Sequence, residues 1–319
     1  MLKVSPSEIA KFRRCRRSWA LNYFYRWGVD PQYAPATSAA LLGTRIHAAL
    51  EAYYGYDINP CSAIGVIYDY ERNKRPECEA DLTKEQDWAM VMLSGYLEWA
   101  AETGVDEEYD VVEVERAVEA PILLTNGEMA IVTGKLDQIV RRKIDGALCV
   151  RDWKTTASLH KFDLVNLDEQ MRIYSALLTI ASDGMRVDGA LLAMLLRSKR
   201  TARASGPFYE QIHVTYNGQD HMNMLTRLRG VLDDMDRVTK ALARKEDHRL
   251  AAYPNPMLDR CSWDCSYKSV CSLFDDGSRA DDAMRANYIQ LDPYHYRNDT
   301  LIDTVKAAFG IQPGDGEKK

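Results

Sequence analysis

The chain has 319 residues, 46% of them apolar and 28% charged, with a net charge of −6. These totals argue against a basic nucleic-acid coat protein, and no apolar run is long enough to span a bilayer, so no membrane partner is expected. The opening residues, Met1 to Pro6, lack the apolar core of a secretory signal. The expected location is therefore the cytoplasm, where seven cysteines point to metal or redox chemistry rather than disulfides.

Taken in chain order, Ser5-Pro6-Ser7-Glu8 opens a helix, with Ser5 as its cap, Pro6 at the first helical position and Glu8 completing a capping box. The pattern Ile9, Phe12, Trp19, Leu21 predicts that this helix runs on to about Trp27-Gly28. A second helix is predicted over 41–54 and a third over 83–103, while 57–82 gives no clear pattern. The period then changes. Residues 111–115 and 120–124 alternate as strands. The turn signals Asn126-Gly127 and Asp145-Gly146 separate strands predicted at 129–140 and 147–154. An amphipathic helix follows at 166–182, a buried strand at 189–196, a strand at 208–214 that can pair with it, and a long helix at 219–246. Residues 253–274 read as irregular. The order predicts an α/β domain with a mixed central sheet.

Gly134-Lys135-Leu136-Asp137 and Asp152-Trp153-Lys154-Thr155 lie on the two strands of the second hairpin. A two-residue turn at Asp145-Gly146 sets Asp137 opposite Lys154 and Ile139 opposite Asp152. Asp137, Asp152 and Lys154 then share one face of the sheet. Hard carboxylate oxygens suit Mg²⁺ or Mn²⁺, and a lysine beside them can offset charge on a phosphate. An exposed Asp–Lys salt bridge is the other reading of the same three residues. An acidic chain can still cleave nucleic acid, because only a local groove needs Lys and Arg.

Four cysteines form a pattern. Cys261-x₃-Cys265-x₅-Cys271 is a tight cluster near the end of the chain, and Cys15 stands in the basic run Arg13-Arg14-Cys15-Arg16-Arg17. Thiolates suit zinc or an iron–sulfur cluster. Arg13, Arg14, Arg16 and Arg17, with a second run of Arg197, Lys199, Arg200 and Arg203, are candidate phosphate contacts or solvated surface.

These residues together resemble the PD-(D/E)XK nucleases, and within them the RecB-like exonuclease branch. Gly43-Thr44-Arg45-Ile46-His47 matches the Gly-x-x-x-His helix of that branch, Gly134 to Asp137 its Gly-x-x-Asp strand, Asp152 to Thr155 its Asp-x-Lys-Thr strand, and Gln170-Met171-Arg172-Ile173-Tyr174 its Gln-x-x-x-Tyr helix. The dipeptide Pro-Asp is absent, since Leu136 precedes Asp137. The resemblance implies a restriction-endonuclease-like core that cleaves DNA with Mg²⁺ or Mn²⁺. It implies metal ligation by His47, Asp137, Asp152 and the Trp153 carbonyl. It makes Lys154 the catalytic lysine and places Gln170 and Tyr174 on the DNA or bracing the site. An upstream carboxylate is also implied, and position favours Glu115 over Glu113.

The one-plus-three cysteine arrangement is similar to that of the iron–sulfur exonucleases, including the CRISPR-associated exonuclease and the AddB-type helicase–nucleases. It implies a 4Fe–4S cluster on Cys15, Cys261, Cys265 and Cys271 that joins the N- and C-terminal segments. The first gap has three residues here, where the family commonly has two. The expected organisation is one nuclease domain over 1–275, with its core at about 105–215 and cluster segments at about 5–28 and 253–274, followed by an extension over 276–319. The expected activity is exonucleolytic, on DNA ends or single strands. Any helicase or recombination protein would be a separate partner, since the chain has no helicase motif. The competing expectation is a DNA-binding accessory protein that keeps this fold without cleaving.

Overall fold

The first helix starts where its sequence predicts. Ser5 Oγ accepts the Glu8 N–H at 3.2 Å, and Pro6 opens the helix. The computed structural model describes residues 1–159, 168–198, 200, 204–294 and 300–312. Within these residues the elements run β1 (Leu2–Val4), α1 (Pro6–Arg14), α2 (Arg16–Trp19), β2 (Trp27–Gly28), α3 (Ala39–Tyr56), α4 (Pro60–Lys74), α5 (Glu79–Thr103), β3 (Tyr109–Leu123), β4 (Met129–Arg142), β5 (Leu148–Thr156), α6 (Glu169–Ala181), β6 (Val187–Leu196), β7 (Tyr209–Thr215), α7 (Gly218–Ala243), α8 (His248–Ala251), α9 (Leu258–Asp264), α10 (Ala280–Asn287), β8 (Ile289–Gln290) and α11 (Thr300–Ala308). No helix among them is long and apolar enough to cross a membrane.

The predicted long first helix is corrected. It breaks at Cys15, whose backbone is extended (φ −162°, ψ 110°), and the chain resumes as α2 and a π-helical turn, Ala20–Phe24. Tertiary partners hold the break. The Arg17 N–H donates to the Tyr253 carbonyl at 3.3 Å, and the Arg17 guanidinium grips both carboxylate oxygens of Asp275 at 2.7 Å. The span 57–82 contains α4, capped by Asn59, whose side chain accepts from the N–H groups of Cys61 and Ser62. The segment expected to be irregular holds α9 and a 3₁₀ turn, Cys271–Phe274.

By packing, the chain divides into two compact units. The first is Met1–Ala34, Pro121–Thr133 and Leu225–Asn298; the second is Pro35–Ala120, Gly134–Met224 and Asp299–Lys319.

The second unit is built on a mixed sheet in the order β4-β5-β6-β7, with β3 also paired to β4. β5 and β6 run parallel, joined through α6, whereas β4–β5 and β6–β7 are antiparallel. Strand β6 is apolar nearly throughout because it is flanked on both edges and buried. Helices α3, α4 and α5 bury Leu42, Ile46, Leu50, Ile64, Ile67 and Leu93 in one core, which Ile302 and Val305 of α11 complete.

In the first unit, β1 runs parallel to residues 130–132 of β4, and β2 pairs antiparallel with β8. Its core includes Leu21, Tyr267, Val270, Met284 and Tyr288, with Cys265 packed against it.

Candidate metal and catalytic site

The β4–β5 hairpin differs from its prediction by two residues. Gln138 faces Arg151 and Ile139 faces Val150, because Arg142 N donates to Ala147 O (2.9 Å) across a four-residue loop rather than a two-residue turn. The ladder ends at Gln138–Arg151, immediately before Asp137 and Asp152. There a side chain takes over from the backbone, and Asp137 Oδ2 accepts the Trp153 N–H at 3.0 Å. Trp153 is itself fixed. Its ring stacks on Tyr54 of α3 (5.3 Å between centroids), and its indole N–H donates to the Tyr96 hydroxyl of α5 (3.2 Å).

The motif glycines have a steric cause. A Cβ at Gly43 would stand 3.2 Å from Thr155 Oγ1, so the bare backbone lets α3 pass close to β5 and brings His47 to the strand end. A Cβ at Gly134 would stand 3.1 Å from the Tyr174 ring, so α6 needs glycine there to seat Gln170 and Tyr174 over the sheet.

Candidate ligand atoms of His47, Glu115 and Asp137 lie within 4.8 Å of one another, the one such group among the described residues. His47 Nδ1 is 3.2 Å from Asp137 Oδ2. Glu115 holds a backbone with φ +52° inside β3, a conformation rare for a residue with a side chain, and its Oε2 is 3.0 Å from Lys135 Nζ. Asp152 stands outside this group. It is 1% exposed and pairs with Lys154 Nζ at 2.7 Å. Lys154 also donates to Gln170 Oε1 (3.2 Å), and Gln170 Nε2 donates to the Tyr174 hydroxyl (3.0 Å). The structure thus gathers His47, Glu115 and Asp137 on one side and Asp152, Lys154, Gln170 and Tyr174 on the other, with each side within electrostatic reach of the other.

Burial by itself would lower the His47 pKa, but the Asp137 carboxylate beside it prevails and raises it to about 9. Burial, reinforced by Asp137 and Glu51, pushes Glu115 up to about 8 despite Lys135. Burial opposes ionisation of Asp137 as well, yet His47 and Lys154 hold its carboxyl below the usual range. Asp152 is pushed up to about 6, chiefly by burial. Lys154 is raised by Asp152 and Asp137 against its own burial, so it stays an ammonium ion. Glu51 was missed by the sequence reading. It follows His47 by four residues on α3, and that spacing on one helix face was the available signal.

These shifts predict the pH behaviour of the metal-free protein. Between pH 6.5 and about 9 for His47, and between 4.5 and about 8 for Glu115, the folded chain holds a proton that the unfolded chain has released. Stability in EDTA therefore falls as pH rises from 6.5 to 9, by up to about 5 kcal/mol. Mn²⁺ takes the place of those protons and should abolish the loss. Thermal melts at the two pH values, with EDTA and with Mn²⁺, check this. Stability that is flat or rising with pH in EDTA would refute the arrangement.

Among the described residues no three cysteine sulfurs lie within 4.8 Å of one another. Neutral thiols have no mutual attraction, and a bound metal is what draws them in. Cys15 and Cys265 are near enough to act on Cys271, whose thiol is raised chiefly by burial and lowered by Arg17. Arg17 Nη1 donates to the Cys271 carbonyl at 2.9 Å and lies 3.7 Å from its sulfur. Of the candidate phosphate contacts, Arg14 pairs with Asp264, Arg13 is exposed, Arg197 N donates to Thr156 O (2.7 Å), and Arg200 pairs with Glu98 (2.8 Å). Lys199 and Arg203 lie outside the described residues.

Among curated proteins none matches the chain. A solved structure titled "Crystal structure of SSO0001" is similar at 15% identity and a TM-score of 0.32, covering 66% of this chain and 84% of that one. The family model described as "PD-(D/E)XK nuclease superfamily" matches residues 3–272. With that match spanning most of the sequence, the chain belongs to the PD-(D/E)XK nuclease superfamily, whose members generally use Mg²⁺ or Mn²⁺.

Proposed function

We propose that the protein is a RecB-like, metal-dependent DNA exonuclease of the cytoplasm, with residues 1–275 as the nuclease and 276–319 as an extension. It would hydrolyse phosphodiesters at DNA ends or in single strands, alongside a separate helicase or recombination protein. The observation that carries this reading is the convergence of His47, Glu115 and Asp137 within 4.8 Å, next to the Asp152–Lys154 pair. Six-coordinate Mg²⁺ with ligands at about 2.1 Å spreads its ligand atoms over no more than about 4.2 Å, so this donor set fits one such ion with little closure. The imidazole in the set favours Mn²⁺. When bound, the ion would polarise the phosphodiester and acidify a water molecule. The chain's own residues do the rest. Asp137 and His47 orient each other, and the Trp153 N–H steadies Asp137. Lys154, held by Asp152 and Gln170, presents a fixed positive charge to a phosphate, and Tyr174 braces Gln170.

We also propose a 4Fe–4S cluster on Cys15, Cys261, Cys265 and Cys271. Thiolates suit zinc as well, but the one-plus-three spacing, with no paired Cys-x₂-Cys knuckles, favours the cluster.

One preparation tests both readings. Protein purified without oxygen should be brown and should degrade end-labelled linear DNA with Mn²⁺ but not in EDTA, leaving closed circular single strands intact. Cys15→Ala should lose the iron. Cutting of circles would exclude an exonuclease, a folded protein inert on every DNA would leave the accessory role, and full iron in Cys15→Ala would remove that ligand.

A further inference from the structure

The first unit carries a groove of about 550 Å³ lined by Arg13, Arg16, Arg227, Asp234 and Tyr253 among others. Arg16 is clamped there. Its guanidinium lies between the rings of Phe12 (5.1 Å) and Tyr253 (4.9 Å) and pairs with Asp234 of α7. Tyr253 remains 45% exposed, and Arg13 and Arg227 are exposed on the groove walls. Asn255, also on the lining, donates to the Arg14 carbonyl (3.1 Å), and the Arg14 guanidinium pairs with Asp264 at the end of α9. Beside Asp264 stands Trp263, 91% exposed, with Arg260 three residues back on the same side of α9 and Lys268 Nζ on the Ser262 carbonyl at 2.7 Å. Arg13, Arg14, Arg16, Arg227, Arg260 and Lys268 stand against Asp234, Asp259 and Asp264. This surface is therefore net positive on a chain whose total charge is −6.

We propose that this surface binds single-stranded DNA, with phosphates on Arg13 and Arg227 and an unpaired base stacked on Trp263. The proposal rests on the nuclease reading for its choice of DNA. Exposed rings beside cations are how proteins hold single strands without reading sequence. A duplex keeps its bases stacked on each other and offers Trp263 nothing. An acidic peptide would satisfy the arginines but leave the indole in water.

The test measures binding of fluorescent oligo(dT), by anisotropy, to iron-loaded protein carrying Lys154→Ala so that nothing is cut. Trp263→Ala and Arg227→Glu should each weaken binding roughly 10-fold or more. Trp263→Tyr should restore most of the affinity, which a merely structural tryptophan would not allow. Arg227→Ala should reduce the salt dependence by about 0.7 in log–log slope, the loss of one single-strand phosphate contact. Tryptophan fluorescence should be quenched by oligo(dT) when Trp263 is present and much less in Trp263→Tyr. Unchanged affinity in both Trp263→Ala and Arg227→Glu, equal affinity for blunt duplex, or tighter binding of oligo(rU) would each overturn the proposal. Cleavage by the otherwise wild-type protein is scored separately. An active nuclease with an indifferent groove refutes only the groove, and a DNA-binding groove on an inactive protein refutes only the nuclease.

Discussion

Lys154→Ala should lower metal-dependent cleavage by at least about 10²–10³-fold, the effect of removing one preorganised group that stabilises developing charge. Asp152 at 2.7 Å and Gln170 at 3.2 Å hold the Lys154 ammonium group in place, so what the substitution removes is a fixed positive charge. The fold should survive. Asp152 loses its counter-charge, but its pKa is already about 6 from burial, and the carboxyl can take up a proton instead of remaining an isolated buried charge. Gln170→Ala, which removes only a support for the ammonium group, should cost much less. Single-turnover rates with Mn²⁺ decide the point. Lys154→Ala retaining more than a tenth of the wild-type rate would end the catalytic assignment.

Arg45→Ala should be the most damaging substitution for stability, at about 3–5 kcal/mol. Arg45 is 2% exposed on α3 and pairs with Glu85 of α5 and, at 3.4 Å, with Glu71 of α4. It also donates to the Ala36 carbonyl at 2.9 Å, and the Tyr68 hydroxyl donates to Glu85 Oε1 at 3.0 Å. Deleting the cation leaves Glu85 buried without its partner. The double variant Arg45→Leu/Glu85→Leu should recover much of the loss, because apolar groups can replace a buried pair removed whole. Denaturant midpoints test this, and a single variant within about 1 kcal/mol of wild type would refute it. His47 lies two residues further along α3, so Mn²⁺ affinity should fall along with stability.

What the sequence disclosed depended on how local the cause was. The Ser5 cap and the buried strand at 189–196 follow from neighbouring residues or from a long apolar run, whereas the Asn59-Pro60 start of α4 went unread in the mixed span 57–82. The hairpin register was missed because the choice between a two-residue turn and a four-residue loop lies in the pairing of Arg142 with Ala147. The break at Cys15 was hidden because Tyr253 and Asp275, more than 200 positions away, hold it. Family motifs singled out Gly43 and Gly134, but the reason for these glycines is visible only where Thr155 and Tyr174 crowd them. The candidate ligand group holds Glu115 beside His47 and Asp137, while Asp152 pairs with Lys154 next to it.

Glu115 also bears on how such a chain would change under relaxed selection. Its backbone sits at φ +52°, where glycine or asparagine would be at ease, and its carboxylate is crowded by Asp137 and Glu51. Both features disfavour glutamate at this position on stability alone. In a lineage that had stopped cleaving and kept only the scaffold, glycine or asparagine at position 115 would relieve both costs, at the loss only of the ion pair with Lys135. A glutamate held against both costs is what the nuclease proposal accounts for and the accessory role does not.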